Sequence, residues 1–405
     1  MKTRRIVVAG TLACDPWAGM AWMEMQIAAG LLRLGHDVYY IETTSCWPYD
    51  PIRRYKVADA NYTLPYLERV AASFGLQGRW AYRTSYSDGQ WHGMEAAKAE
   101  QLLAHADIVL NPAGACRPRT VDGLRVGHQV YLGTDPGYDE IRFLNDAAYR
   151  RGIEEEFDDF ATYGENLGLP GCAIPPLPGL RARTRQPVLV DVWECGPPSR
   201  CEFTTVCNWR QDGHDIEFQG ETYTWSKHHE FLKVIDLPRR TTQKLELAMG
   251  MVNVGEVIPG KDEMIPALGM TVEERRALDE NDWSLTDAHK FTTDPWRYRD
   301  YIQASRGEFT VAKDQYARLQ GGWFSERSAC YLAAGRPVVT QDTGFGKVLP
   351  VGEGLFAFQT AEEAAAALEE IGGDYARHSR AARRIAEEYF RAEKVLAKLL
   401  VDLGL

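Results

Sequence analysis

No run of this sequence reaches the ~18 consecutive apolar residues that a membrane-spanning helix needs. Cysteine is scarce: 8 in 405 residues, about 2%, excludes a small disulfide scaffold. The cysteines do not pair by spacing, so a reducing, cytoplasmic compartment is expected. Positive charge is in deficit. Lys plus Arg number 46 against 57 Asp plus Glu, a net charge of −11. That excludes a general binder of nucleic acid or membrane surfaces and leaves room for a local basic cleft that holds phosphates.

Several catalytic signatures are also missing. There is no G-x-S-x-G elbow, which argues against an α/β-hydrolase. There is no H-E-x-x-H, and the adjacent His228 and His229 cannot share one helix face as ligands. Cys195, Cys201, Cys207 and His214 lack a C-x-x-C knuckle, so buried single thiols are the default and no metal is expected. Gly344-Phe345-Gly346-Lys347-Val348 fails as a P-loop, because Val348 stands where a magnesium-binding Ser or Thr belongs.

What is present is an ordinary globular composition, 45% hydrophobic and 25% charged, at a length that favours two domains. Residues 1–10 have the basic flank of a signal peptide, but the apolar run is too short and reads as a first core strand. Residues 5–10, 20–34 and 37–42 form a strand, helix, strand pattern, hence a βαβ unit and a parallel sheet. Residues 106–111 and 129–133 read as further buried strands. Pro170, Pro175, Pro176, Pro178 and Pro187 mark a candidate linker, placing domains at 1–180 and 187–375. Beyond it, strands are expected at 203–209, 231–237, 309–312 and 337–340. Helices are expected at 241–251, 325–334, 361–371 and 376–400. The last of these is expected to pack back toward the first domain.

Two stretches hold candidate chemistry. The first βα loop carries Asp15 and Trp17 at the carboxyl end of a strand, where α/β sheets bind ligands. It is not the dinucleotide fingerprint, because only Gly10 and Gly19 are present. Pro16-Trp17 packing the loop is the equal alternative. The second stretch is residues 305–345. Gly321-Gly322 precede a helix capped by Ser325, and a helix amino terminus is a ready anion site. Ser325 and Ser328 add hydroxyls. Arg327 sits against the helix dipole, which an incoming anion would neutralise, and Lys313 and Arg318 lie just upstream.

This run resembles the donor-site region of GT-B glycosyltransferases. It has Gly321-Gly322-Trp323-Phe324-Ser325-Glu326, then Ala333-Ala334-Gly335-Arg336-Pro337-Val338-Val339. Near the amino terminus, Leu34-Gly35-His36-Asp37-Val38 is similar to the L-x-x-x-G-H-x-V of that family. The likeness covers about 40 residues at each end and is topological between them. It implies an α/β fold of two facing Rossmann-like domains, the first taking the acceptor and the second a nucleoside-diphosphate sugar. That sugar is a co-substrate, and no cofactor or metal is implied. Donor contacts are implied at Lys313, Arg318, Gly322, Ser325, Glu326, Arg327, Ser328, Asp342, Thr343 and Gly344. Two departures stand out. Gly321 and Phe324 replace the His and Asn of the plant-type signature. The E-x7-E pair is also incomplete, since Ala333 stands seven residues after Glu326; Asp342 is the best second carboxylate.

The implied reaction moves a sugar onto a small-molecule or saccharide acceptor. The departing diphosphate is stabilised by a helix dipole, hydroxyls and cations. If the reaction inverts, a general base is needed, and Asp15 and Asp135 are equal candidates. Asp135-Pro136 as plain turn chemistry is the alternative. Trp209 and Asn208 either line the donor pocket or, for Trp209, fill the core. A nucleotide-sugar 2-epimerase and a catalytically silent binding subunit are the rival functions; a dehydrogenase ranks behind both.

Overall fold

The computed structural model describes residues 2–211, 213–250, 264–265 and 269–405. They form two compact units. The first comprises 1–165, 175–189 and 392–405, and the second 166–174 and 190–391.

The first unit is built on an eight-stranded sheet. In chain order its strands are β1 (Arg5–Ala9), β2 (Asp37–Glu42), β5 (Trp80–Arg83), β6 (Trp91–Gly93), β7 (Ile108–Pro112), β8 (Gln129–Gly133), β9 (Asp159–Thr162) and β10 (Leu180–Arg183). A small separate hairpin pairs β3 (Tyr49–Asp50) with β4 (Tyr55–Lys56). The sheet order is β10-β9-β8-β7-β1-β2-β5-β6. All pairings are parallel except β5–β6. Val7 and Val8 of β1 and Val109 of β7 are fully buried, as the β-branched runs require of a sheet covered on both faces.

The second unit carries a six-stranded, wholly parallel sheet. Its strands are β11 (Glu202–Asn208), β14 (Lys244–Gly250), β17 (Ser284–Asp287), β18 (Gly307–Thr310), β19 (Val338–Gln341) and β20 (Leu355–Phe358). They run in the order β17-β14-β11-β18-β19-β20. Two short antiparallel pairs are appended, β12 (Ile216–Phe218) with β13 (Glu221–Tyr223), and β15 (Met264–Ile265) with β16 (Met270–Thr271). Helix Ala361–Gly373 starts in a capping box, with Thr360 and Glu363 satisfying each other's backbone N–H.

Three expected elements differ. Residues 231–237, expected as a strand, belong to helix His228–Lys233 and the turn that follows it. Phe231, Val234 and Leu237 are buried three apart, a helical spacing that the short apolar run disguised. The helix expected at 241–251 is β14 over its described part, and Met251 lies outside the described residues. Leu245, Leu247 and Met249 enter the core, and a place between β11 and β17 overrides the helical preference of Leu, Glu, Ala and Met. The single helix expected at 376–400 is helix Tyr375–Ile385, a wider turn at Ala386–Phe390, a break at Arg391 and helix Ala392–Asp402. At the break Arg391 is extended (ψ 121°), and Ala392 N–H donates to Val188 O (2.9 Å). The last helix packs within the first unit on helix Ala18–Arg33. Gly30 permits the approach: a Cβ there would lie 2.5 Å from Leu396 Cδ1 and 2.9 Å from Ala392 Cβ.

Among the described residues no helix is long and apolar enough to cross a membrane.

Candidate functional site

Both sheets have a topological switch point, the place where open α/β sheets bind ligands. In the first unit it lies between β1 and β7, and in the second between β11 and β18.

In the second unit the switch point gathers cations. Arg327, on the first turn of helix Glu326–Ala333, directs its guanidinium to the carboxyl ends of β11 and β18. Its Nε pairs with the fully buried Glu308 (2.5 Å), Nη1 donates to Val206 O (2.7 Å) and Nη2 to Thr310 Oγ1 (3.1 Å). Arg327 is therefore a structural cation held by Glu308 as well as a source of field.

The residue that sequence reasoning missed is Lys227. Its ammonium is buried, reaches Thr310 Oγ1 at 3.5 Å and has no carboxylate within ion-pair distance among the described residues. Burial first, then the Arg327 charge, draw it down to about 7 from an ordinary 10.5, with Lys313 adding to the effect. Lys227 lies just ahead of helix His228–Lys233, and a lone lysine between the Thr224-Trp225-Ser226 loop and a short helix reads in sequence as solvated.

The loops flanking this cluster are rigidly tied. Asn166 N–H donates to Gly321 O (3.0 Å), and its Nδ2 donates to Gln320 O (3.2 Å) and Gly344 O (3.0 Å). Gly322 N–H donates to Thr343 O (2.8 Å), and Thr343 Oγ1 donates to Trp323 O. Asp342 Oδ1 caps its own loop by accepting from Gly344 N–H (2.8 Å). Glycine is required at 322: φ is +77°, and a Cβ would sit 2.7 Å from Asn166 Cγ.

The helix start itself retains unused polar capacity. The Ser325 side chain caps no backbone N–H. Ser328 Oγ is buried with no hydrogen-bond partner. Glu326 accepts from the Cys330 thiol (3.0 Å). Lys313 Nζ lies over the Trp225 ring (2.9 Å to the centroid) and donates to Tyr316 OH (3.3 Å). Arg318 points elsewhere, to Asp314, Glu221 and Thr222 O on the β12–β13 hairpin side. So Gly322, Ser325, Arg327, Ser328, Asp342, Thr343 and Gly344 come together around one helix start, and Arg318 does not join them. Trp209 is core: fully buried, it stacks on Phe231 (5.7 Å) and donates to Glu274 (3.1 Å).

In the first unit the switch point gathers carboxylates. Glu24 is fully buried and accepts from Thr11 N–H (2.9 Å), Thr11 Oγ1 (2.8 Å) and Tyr40 OH (2.7 Å). Burial pushes it up to about 7 despite the Tyr40 and Thr11 hydrogen bonds. Glu42, equally buried, accepts from Ala13 N–H (2.6 Å), Cys14 N–H (2.9 Å) and Thr44 Oγ1 (2.8 Å), and burial raises it well above the usual range. The two therefore stitch down the loop that bears Asp15. Burial also raises the half-buried Asp15 carboxyl, with the Lys56 charge opposing. Neither Glu24 nor Glu42 was legible as a site residue, because acids in an alanine-rich helix or at a strand end read as solvent-facing. Asp135 lies on the loop after β8 and accepts from Thr134 Oγ1 (3.2 Å). The buried Asp139 and Glu140 exert like charge on this loop, and Glu140 accepts from Gly137 N–H (2.7 Å).

Among the described residues no group of three or more His, Cys, Asp or Glu converges as metal ligands. Cys195 is exposed and donates to Ala334 O (3.4 Å), while Cys207 is buried in the core of the second unit.

No family model matches the sequence, and no curated protein does. Solved structures are similar over the whole chain. Anabaena HepE in complex with UDP and glucose matches at 13% identity and TM-score 0.57, over 99% of each chain. A Rickettsia africae glycosyltransferase matches at 11% and 0.53, over 99% of this chain and 97% of that one. An α-glucosyltransferase in complex with UDP and a 13-mer DNA matches at 9% and 0.53, over all of both chains. The chain has the GT-B fold of these glycosyltransferases: α/β, with two Rossmann-like units.

Proposed function

We propose that this protein is a glycosyltransferase that moves a sugar from a nucleoside-diphosphate sugar to a small-molecule or saccharide acceptor, without a metal. The observation that carries the reading is Lys227. A lysine whose pKa is drawn down to about 7 by burial and then by an adjacent arginine is a costly arrangement. A diphosphate bound between Lys227, the Gly321-Gly322 loop and the start of helix Glu326–Ala333 removes that cost by recharging the amine. UDP in the similar structures supports a uridine nucleotide as the first to try.

The chemistry follows from the charges. As the sugar–phosphate bond breaks, negative charge grows on the leaving diphosphate. Lys227, charged once the donor is bound, and the helix dipole stabilise it where a metal would otherwise act. Ser325 and Ser328 offer hydroxyl donors at the same helix start. For inversion, the acceptor proton goes to a carboxylate, and Asp15 and Asp135 are the proposed bases.

The test is calorimetric titration with UDP and UDP-glucose, with and without EDTA, followed by product analysis of donor alone and donor with acceptors. Transfer to an acceptor in EDTA is expected. Release of a free epimeric sugar without acceptor would favour the epimerase, and no nucleotide binding would favour a silent subunit.

A further inference from the structure

The β3–β4 hairpin of the first unit is fastened to the loop that carries Asp15. Tyr49 N–H donates to Cys14 O (2.9 Å), and the Trp17 and Tyr49 rings lie 4.8 Å apart. The buried Cys14 thiol donates to Trp47 O (3.6 Å), the carbonyl next to Cys46. Cys46 is exposed, and each thiol perturbs the other, Cys14 upward and Cys46 downward. The Lys56 ammonium, at the end of the hairpin, acts on both sulfurs and on Asp15. This places an accessible thiol, a buried second thiol and a cation in one cluster. None of these groups is used by the proposed transfer reaction.

We infer that Cys46 is an oxidant-sensitive modification site for which Cys14 is the resolving thiol, and that their disulfide fixes the hairpin to the Asp15 loop. The Cys46 thiolate attacks one oxygen of a hydroperoxide, breaking the O–O bond; an S–OH forms and the alkoxide leaves, taking a proton to become an alcohol. The Cys14 thiol then attacks the Cys46 sulfur; an S–S bond forms, the S–O bond breaks, and hydroxide leaves with the thiol proton as water. Two thiols lose two electrons, and the hydroperoxide is reduced to alcohol and water. Exposure and thiolate character select the attacking sulfur. Cys14, then Lys56, hold the Cys46 thiol down to about 6. By contrast, burial pushes the Cys116 and Cys207 thiols up.

The inference does not depend on the nucleotide, so its test reads chemistry at sulfur. The intact protein is treated with a few equivalents of hydrogen peroxide at pH 7, blocked with N-ethylmaleimide, digested and analysed by mass spectrometry. A peptide linking Cys14 to Cys46, lost after reduction, is expected. Before oxidation, Cys46 should alkylate at least several-fold faster than the exposed Cys201, and Lys56→Met should narrow that gap. Because Cys14 is buried and its replacement risks the fold, the control is the exposed Cys46→Ser, which should abolish the crosslink and leave Cys14 a thiol. Equal alkylation of Cys46 and Cys201 would overturn the inference. So would oxidation of Cys46 to sulfinic acid with Cys14 still free.

Discussion

The two units present the same topological feature with opposite charge. At the β1/β7 switch point the loop is held by two buried carboxylates, Glu24 and Glu42. At the β11/β18 switch point the flanking groups are Lys227 and the Glu308-paired Arg327. Buried ionisable groups are expensive, and Glu24, Glu42 and Lys227 are each perturbed toward the neutral form, the acids upward and the lysine downward, while Glu308 holds Arg327 charged. The difference lies in how each is satisfied. Each acid accepts from three donors, Glu24 from Thr11 N–H, Thr11 Oγ1 and Tyr40 OH and Glu42 from Ala13 N–H, Cys14 N–H and Thr44 Oγ1, whereas the Lys227 ammonium meets Thr310 Oγ1 at 3.5 Å. The first arrangement therefore positions the loop that bears Asp15, and the second is the one we propose as a receptor for an anion.

If the proposed transfer inverts, replacing the base, Asp15 or Asp135, by Asn should lower kcat by about 10²–10⁴ and leave nucleotide affinity nearly intact, as steady-state kinetics beside calorimetry will read. Arg327→Ala should cost about 3–5 kcal/mol of stability in urea titration, because it strands the buried Glu308. Its effect on nucleotide affinity has to be measured where the variant is folded. Lys227→Met should behave oppositely. It should leave stability unchanged or raised, since a buried unpaired amine is lost, and weaken UDP binding by about 1.5–3 kcal/mol, the range for a hydrogen bond to a charged group.

The smallest effects are in pH dependence, and they carry opposite signs. Folded Glu24 keeps its proton up to about 7 against 4.5 when unfolded, so its contribution is present below 4.5 and lost as pH rises through 7. Folded Lys227 gives up its proton near 7 against 10.5 unfolded. Its contribution is present above 10.5 and lost as pH falls through 7. Urea midpoints of Glu24→Gln and Lys227→Met across pH 5–10 should each lose only their own slope. Variants that share one slope would erase the distinction between the two switch points.

Sequence patterning carried the parallel strands well. The first strand follows from a β-branched run closed by Gly10, and the 129–133 strand from a short apolar run with a polar end. The helix after Gly321-Gly322 also falls one residue from its expected start. The failures are physical. In β14, helix formers occupy a central strand because neighbouring strands decide, and in 231–237 a three-residue spacing looks like a short buried strand. At the candidate site, glycines and capping residues were legible because they act locally. Lys227, Glu24, Glu42 and Asn166 were not: their significance comes from burial and from partners up to 178 residues distant, as with Asn166 and Gly344.

On the proposed function, a diphosphate completes the second unit's switch point and recharges Lys227. The most direct measurement is UDP titration at pH 8 in buffers of different ionisation enthalpy, which counts protons exchanged on binding. With Lys227 near 7 in the free protein, binding should take up close to one proton, and the Lys227→Met protein should take up almost none. Tight UDP binding with no proton uptake, or uptake unchanged in Lys227→Met, would contradict it.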